Sequence, residues 1–261
     1  MPKVRHGSSI PSISNIARFA KAGKMREFLE FYSFRDTFLF MDDFNGDAIN
    51  LDYWTVANSS GTSAADFAVS VGNPTGVIQS DSGTTDNGST SIIGPLIYKG
   101  DQNCGMWCRF KVDDVTGWSF DVGFIDAVPA SNTAGVNDVD TPTVYMADGA
   151  VVHMNTDQTL AIPAFVTVGS TANQSAKKTS TAYTPINATY MDVVIQLVGN
   201  DAYCILNNGV SVISHHNGTS GNSAGHVEGG VALAPWVINL TRNTTAKFMD
   251  VDAIAIWSDR P

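Results

Sequence analysis

Residues 102–112 read QNCGMWCRFKV, and what stands at every second position decides how the chain is built. Cys104, Met106, Cys108, Phe110 and Val112 alternate with Gly105, Trp107, Arg109 and Lys111. That period of two belongs to an extended strand with one apolar face. Residues four apart in a strand lie about 13 Å from each other, too far for a disulfide. Cys104, Cys108 and Cys204, the three cysteines of the chain, are therefore read as reduced thiols filling a core. No second cysteine pair or neighbouring histidine completes a zinc site.

The same period spreads outward from this stretch. WSFDVGFID (118–126), TSIIGPLIYK (90–99), TPTVYMADGAVVHM (141–154), TYMDVVIQLVG (189–199), GGVALAPWVIN (229–239) and AKFMDVDAIAIWS (246–258) are further strand candidates. Clusters of Gly, Asn, Asp and Ser separate them at the spacing of a sandwich or barrel. Asn207-Asn208-Gly209, between AYCIL and VSVIS, is the sharpest hairpin signal. With 43% apolar residues in 261, the chain can bury a substantial core. One all-β domain over residues 38–261 is the economical reading.

Ahead of it stands an arm, residues 1–37, of different character. Residues 1–26 carry six basic side chains and no acid, and everything from Glu27 onward holds nine basic against twenty-five acidic residues. The acidic body argues against specific nucleic-acid binding, and the basic arm suits an acidic protein surface. Ile16, Phe19, Ala20, Met25, Phe28, Leu29 and Tyr32 recur at helical spacing behind a Ser14 or Asn15 cap, with Gly23 a weak point. This predicts a short amphipathic helix that must lay its aromatic stripe against something. Burying one phenylalanine is worth about 1.5–3 kcal/mol, so the stripe is expected to dock on a partner or on the chain's own sandwich. The expected partner-binding residues are Arg18, Phe19, Lys21, Lys24, Met25, Arg26, Phe28, Leu29, Phe31, Tyr32 and Phe34. No apolar run approaches the roughly 18 residues of a membrane span. The N-terminus has charge without an apolar stretch behind it, unlike a secretory signal, which implies assembly in the cytoplasm.

Taken in order, DDFNGDAINLDYWTV (42–56), MWCRFKVDD (106–114), WSFDVGFID (118–126), YMDVVIQLVGNDAYCILNNGV (190–210) and KFMDVDAIAIWSD (247–259) resemble concanavalin A-like lectin/glucanase domains. The resemblance implies a two-sheet jelly roll whose last strand returns beside its first. The basic arm followed by such a domain also resembles virion proteins of tailed bacteriophages. That likeness implies a non-enzymatic capsid decoration or cement protein, anchored in the virion by its arm to the major capsid protein or other subunits, and oligomeric. The alternative it leaves is a carbohydrate-binding module recognising host surface glycans.

Retaining glycosidases need two carboxylates about 5 Å apart, which this fold's hydrolases place on one strand in a Glu-x-Asp-x-x-Glu run. Here residues 38–261 hold a single glutamate, Glu228, and Asp121 and Asp126 are five apart, which puts them on opposite faces. No catalytic residue is therefore expected, and Asp121 reads as a solvent-facing or turn-bonding acid. Asp113, Asp114, Asp138, Asp140, Asp148, Asp250 and Asp252 offer oxygen ligands but no distinct calcium triplet, so neither metal nor cofactor is expected. His215, His216, His226 and Glu228 read as a solvated loop region, and His153 as a satisfied strand residue. Trp118, Tyr145 and Trp236 are the candidate sugar-facing aromatics, with sheet packing the competing role for the tryptophans.

Overall fold

The computed structural model describes residues 37–59, 63–70, 76–127, 134–138, 143–158, 162–169, 177–181, 183–207, 212–217 and 227–259. Residues 1–36 of the arm, with the expected helix and all eleven expected partner-binding residues, lie outside them, and Thr37 is the first residue of β1.

The described chain is an all-β sandwich. Its strands are β1 (Thr37–Asp42), β2 (Thr55–Asn58), β3 (Ala65–Val69), β4 (Ile78–Asp81), β5 (Ser89–Ile93), β6 (Gly105–Val112), β7 (Trp118–Ile125), β8 (Val136–Asp138) and β9 (Thr143–Val144). They continue with β10 (Gly149–Asn155), β11 (Ala164–Val168), β12 (Lys177–Ser180), β13 (Met191–Val198), β14 (Asp201–Asn207), β15 (Val212–Asn217), β16 (Ala234–Thr241) and β17 (Phe248–Asp259). Sheet A runs β15-β14-β13-β6-β17-β4-β3, with β1 also on β17; sheet B runs β12-β11-β10-β7-β16-β5-β2. Every pairing is antiparallel, and β8 with β9 forms a separate two-stranded hairpin. The last strand does return beside the first, Thr37 opposite Asp259 and Asp42 opposite Ile254.

Alternation fixes which side chains meet between the sheets. Met106, Cys108, Phe110 and Val112 of β6 face Trp118, Phe120, Val122 and Phe124 of β7 across one continuous core. All three cysteines are free and buried, and burial pushes their thiols up. The sequence DVDAIAIW breaks strict alternation, and the register between β17 and β6 shifts between Val251 and Ala253. This bulge lets Val251 and Ile254 both point inward while Asp252 stays outside. β14 and β15 pair with Asn207 opposite Val212, as the Asn-Asn-Gly signal predicts, the turn itself lying outside the described residues.

Candidate functional site

The middle of sheet B, from β11 through β10, β7 and β16 to β5, is buried on both faces. Trp118, Phe120, Val122 and Phe124 point into the main core, so Ser119, Asp121 and Ile125 of the same strand point outward. There a second apolar cluster has formed, in which Ile125, Val151, Val166, Trp236, Ile238 and Leu240 of the sheet pack against Ala134, Val136 and Met146 of the β8–β9 hairpin. The hairpin roofs the middle of the sheet.

Asp121 sits beneath that roof, fully buried, opposite His153 on β10 and Ile238 on β16. A carboxylate buried there is stable only with its oxygens occupied. Oδ1 lies 2.5 Å from His153 Nδ1. Oδ2 accepts the backbone N–H of Gly135 at 2.5 Å and that of Val136 at 3.4 Å. Asp121 therefore latches the roof to the sheet and orients the imidazole. The hydrogen bond to the carboxylate is made by Nδ1, and Nε2 is the ring nitrogen that points away. The expectation of a solvent-facing or turn-bonding Asp121 is corrected: the acid is interior because the face it occupies is covered, which strand periodicity alone does not reveal.

Three buried polar atoms on this face have no hydrogen-bond partner: His153 Nε2, Ser119 Oγ and Trp236 Nε1. They are half of the six such atoms among the described residues, so the face concentrates unmet polar capacity. Their layout follows from register. Ser119, Asp121 and Gly123 are successive outward positions of β7, about 7 Å apart. His153 stands beside Asp121 on one flank, and Trp236 beside Gly123 on the other. The three atoms thus belong to one patch spanning about two such steps of β7, with an imidazole nitrogen, an indole N–H donor and a hydroxyl that both donates and accepts. Leaving each unmet costs about 1–3 kcal/mol, a penalty that a hydroxylated ligand would relieve. His153 is accordingly satisfied at one nitrogen and open at the other.

Tyr145 stands at the end of the roof, 59% exposed, its N–H held by the carbonyl of Gly135 at 2.7 Å. Gly135 is the residue whose own N–H is bonded to Asp121, so the exposed ring is carried on a backbone tied to the buried latch. At the neighbouring end of β7, Asp126 is half-buried and accepts the N–H of Ala147 at 3.0 Å. Asp148 is buried and accepts the N–H of Glu228 at 3.0 Å.

The other sequence candidates fall elsewhere. Trp118 is corrected from a sugar-facing to a core residue: it is fully buried between the sheets, stacked on Phe120, with Nε1 donating to Asn239 Oδ1 at 2.9 Å. The pattern W-x-F-x-V-x-F of β7 already places it there, since every second residue is large and apolar. Trp236 likewise presents no exposed ring: it is fully buried, under the roof. The side chains of His215, His216, His226, Asp138 and Asp140 lie outside the described residues. Among the described residues no group of three His, Cys, Asp or Glu side chains is placed to hold a metal ion. The pairing of Asp121 with His153 is what sequence reading missed, because it joins strands 32 residues apart.

No protein-family model matches the chain, and no curated protein sequence matches it. Solved structures do resemble it. A glycosyl hydrolase family protein from Mycobacterium fortuitum aligns over 84% of this chain and 98% of its own at 12% identity, with a TM-score of 0.56. Lectin II from Ulex europaeus aligns over 86% of this chain and 100% of its own at 14% identity and a TM-score of 0.56. Winged bean acidic lectin complexed with methyl-α-D-galactose aligns over 86% of this chain and 99% of its own at 10% identity and a TM-score of 0.54. At these identities the likeness establishes the fold alone, and the sandwich is concanavalin A-like.

Proposed function

We propose that this chain is a carbohydrate-binding module that engages its ligand at the roofed face of sheet B. The observation that carries the reading is the trio His153 Nε2, Ser119 Oγ and Trp236 Nε1, buried and unpartnered on one sheet face. Saccharide hydroxyls both donate and accept, which is the complement such a trio needs. The exposed ring of Tyr145 adds an apolar surface with a polar tip at the same hairpin, where a sugar ring stacks. The lectin-like fold supports a glycan reading, and the site has to supply the recognition.

Hydrolysis by a carboxylate pair is not part of this proposal. The carboxylate of Asp121 is committed to His153 and to the roof, and those of Asp126 and Asp148 to backbone N–H groups. The capsid-decoration reading, with its virion location and subunit partners, draws on residues 1–37, and no comparison carries it; the lectin-like neighbours favour the glycan reading over it. The test is a glycan array with the full chain, followed by titration of the best binder. Binding that weakens about tenfold in Tyr145→Ala with unchanged folding supports the proposal. An array without saturable binding to any glycan overturns it.

A further inference from the structure

The outer face of sheet A poses a separate question. Trp107 of β6, Val194 of β13, Ile205 of β14, and Ala253, Ala255 and Trp257 of β17 all point away from the main core, by their register with inward-facing neighbours. None belongs to either core cluster. Yet all are buried, the two indoles only 3% exposed. Their N–H groups are met within the sheet, Trp107 by Asp192 Oδ1 at 2.9 Å and Trp257 by Gln196 Oε1 at 2.8 Å. The indole of Trp257 rests on Gly105, where an added Cβ would clash with Cε2 and Cζ2, so what remains to be covered is the side turned away from the sheet. Among the described residues no element forms a second layer over this face.

We propose that residues 1–36 of the same chain cover this face, with the Phe19/Met25/Phe28/Leu29/Tyr32 stripe laid over Trp107 and Trp257. Three observations on the molecule select this occupant. The first is where the segment ends. It joins β1 at Thr37, a buried residue opposite Asp259, and Thr37, Leu39 and Met41 share the outer face with Trp257 and Ala255. The chain therefore arrives at the face it has to cover. The second is length. A helix over residues 16–32 is about 25 Å long, and the strands from β17 through β6 and β13 to β14 span about 14 Å, so the stripe reaches across all the apolar residues named. The third is charge. The face carries Asp192, Asp201, Asp250, Asp252 and Asp259 against Arg109 and Lys111, while residues 1–36 hold seven basic and three acidic side chains. Asp192 is buried on this face, and desolvation raises its carboxyl above the usual range despite the Arg109 guanidinium beside it.

The test uses the full chain and its double variant Phe28→Asp/Leu29→Asp, with acrylamide quenching of tryptophan fluorescence. All five tryptophans are at most 3% exposed, and two of them lie on this face. The full chain should show almost no quenchable fraction, and the variant about two fifths, from Trp107 and Trp257. Equal quenching of the two overturns the proposal. A second measurement needs no variant: lysine-to-carboxylate cross-linking of a mixture of isotopically light and heavy chains. Links from Lys21 or Lys24 to Asp250 or Asp252 within one isotopic form support the proposal. Mixed light–heavy links alone would make a second copy the occupant, and the absence of links from the arm to this face would assign the cover to another partner; either result overturns it.

Discussion

The outer faces of the two sheets bury their residues in different company. Over sheet B the roof is visible: the β8–β9 hairpin supplies Ala134, Val136 and Met146 to an apolar cluster, and Asp121 ties it down through Gly135 and Val136. Beneath it, polar atoms of Ser119, His153 and Trp236 go unmet. Over sheet A no described residue forms a roof, and the polar groups are spent on one another, in the Arg109–Asp192, Arg109–Asp252 and Lys111–Asp250 pairs and in both indole N–H bonds. The proposed ligand face is the one whose polar groups go unmet, and the proposed apolar cover lies over the one whose polar groups are satisfied around buried indoles.

The largest expected effect breaks the sheet B side of this contrast. Asp121→Ala removes the partner of His153 Nδ1 and of two backbone N–H groups at once, and should cost about 3–5 kcal/mol in urea unfolding. A loss below about 1 kcal/mol would mean that the latch is not structural. Next comes Trp107→Ala on sheet A. If the ring is covered as tightly as its 3% exposure says, the substitution costs about 3 kcal/mol, as in a core; an open face would cost about a third of that. Trp236→Phe sharpens the comparison from the ligand side. It keeps an aromatic ring but removes an unmet donor, so stability holds or rises by about 1 kcal/mol while glycan affinity falls about fivefold to tenfold.

The smallest effect concerns neither face and serves as a reference. Lys247 is buried with Nζ 2.7 Å from Asp114 Oδ2, and that hydrogen bond holds the Asp114 carboxyl below the usual range. A carboxyl lowered on folding stabilises the folded chain above the ordinary aspartate pKa, and the contribution is lost as pH falls through the lowered value. Asp114 is 38% exposed, so the size is below about 1 kcal/mol. Stability measured from about pH 5 down to pH 2 should fall less steeply in Asp114→Asn than in the parent chain.

Much of the sandwich is legible in local pattern. The alternation in 104–112 gives β6 and its inward cysteines, and DAIAIWSD gives the closing strand beside β1, because period two is written in adjacent residues. The site is not written that way. Asp121 reads as a surface acid until the hairpin between β7 and β10 is seen folding back over it, a contact set by topology rather than by neighbours in sequence. Trp118 and Trp236 look alike in sequence, and strand parity separates them, one into the core and one under the roof. The greasy arm is conspicuous in sequence, whereas the proposed destination, the buried indoles of sheet A, emerges only from strand register.

The measurement that bears most directly on the glycan reading is an NMR titration of the full, isotopically labelled chain with the best glycan from the array. The indole N–H resonance of Trp236 and the Nε2 resonance of His153 should shift together and saturate at one midpoint, while the indoles of Trp107 and Trp257 stay still. Saturable binding that leaves Trp236 and His153 unmoved would contradict the assignment of the roofed face of sheet B as the place where the ligand is held.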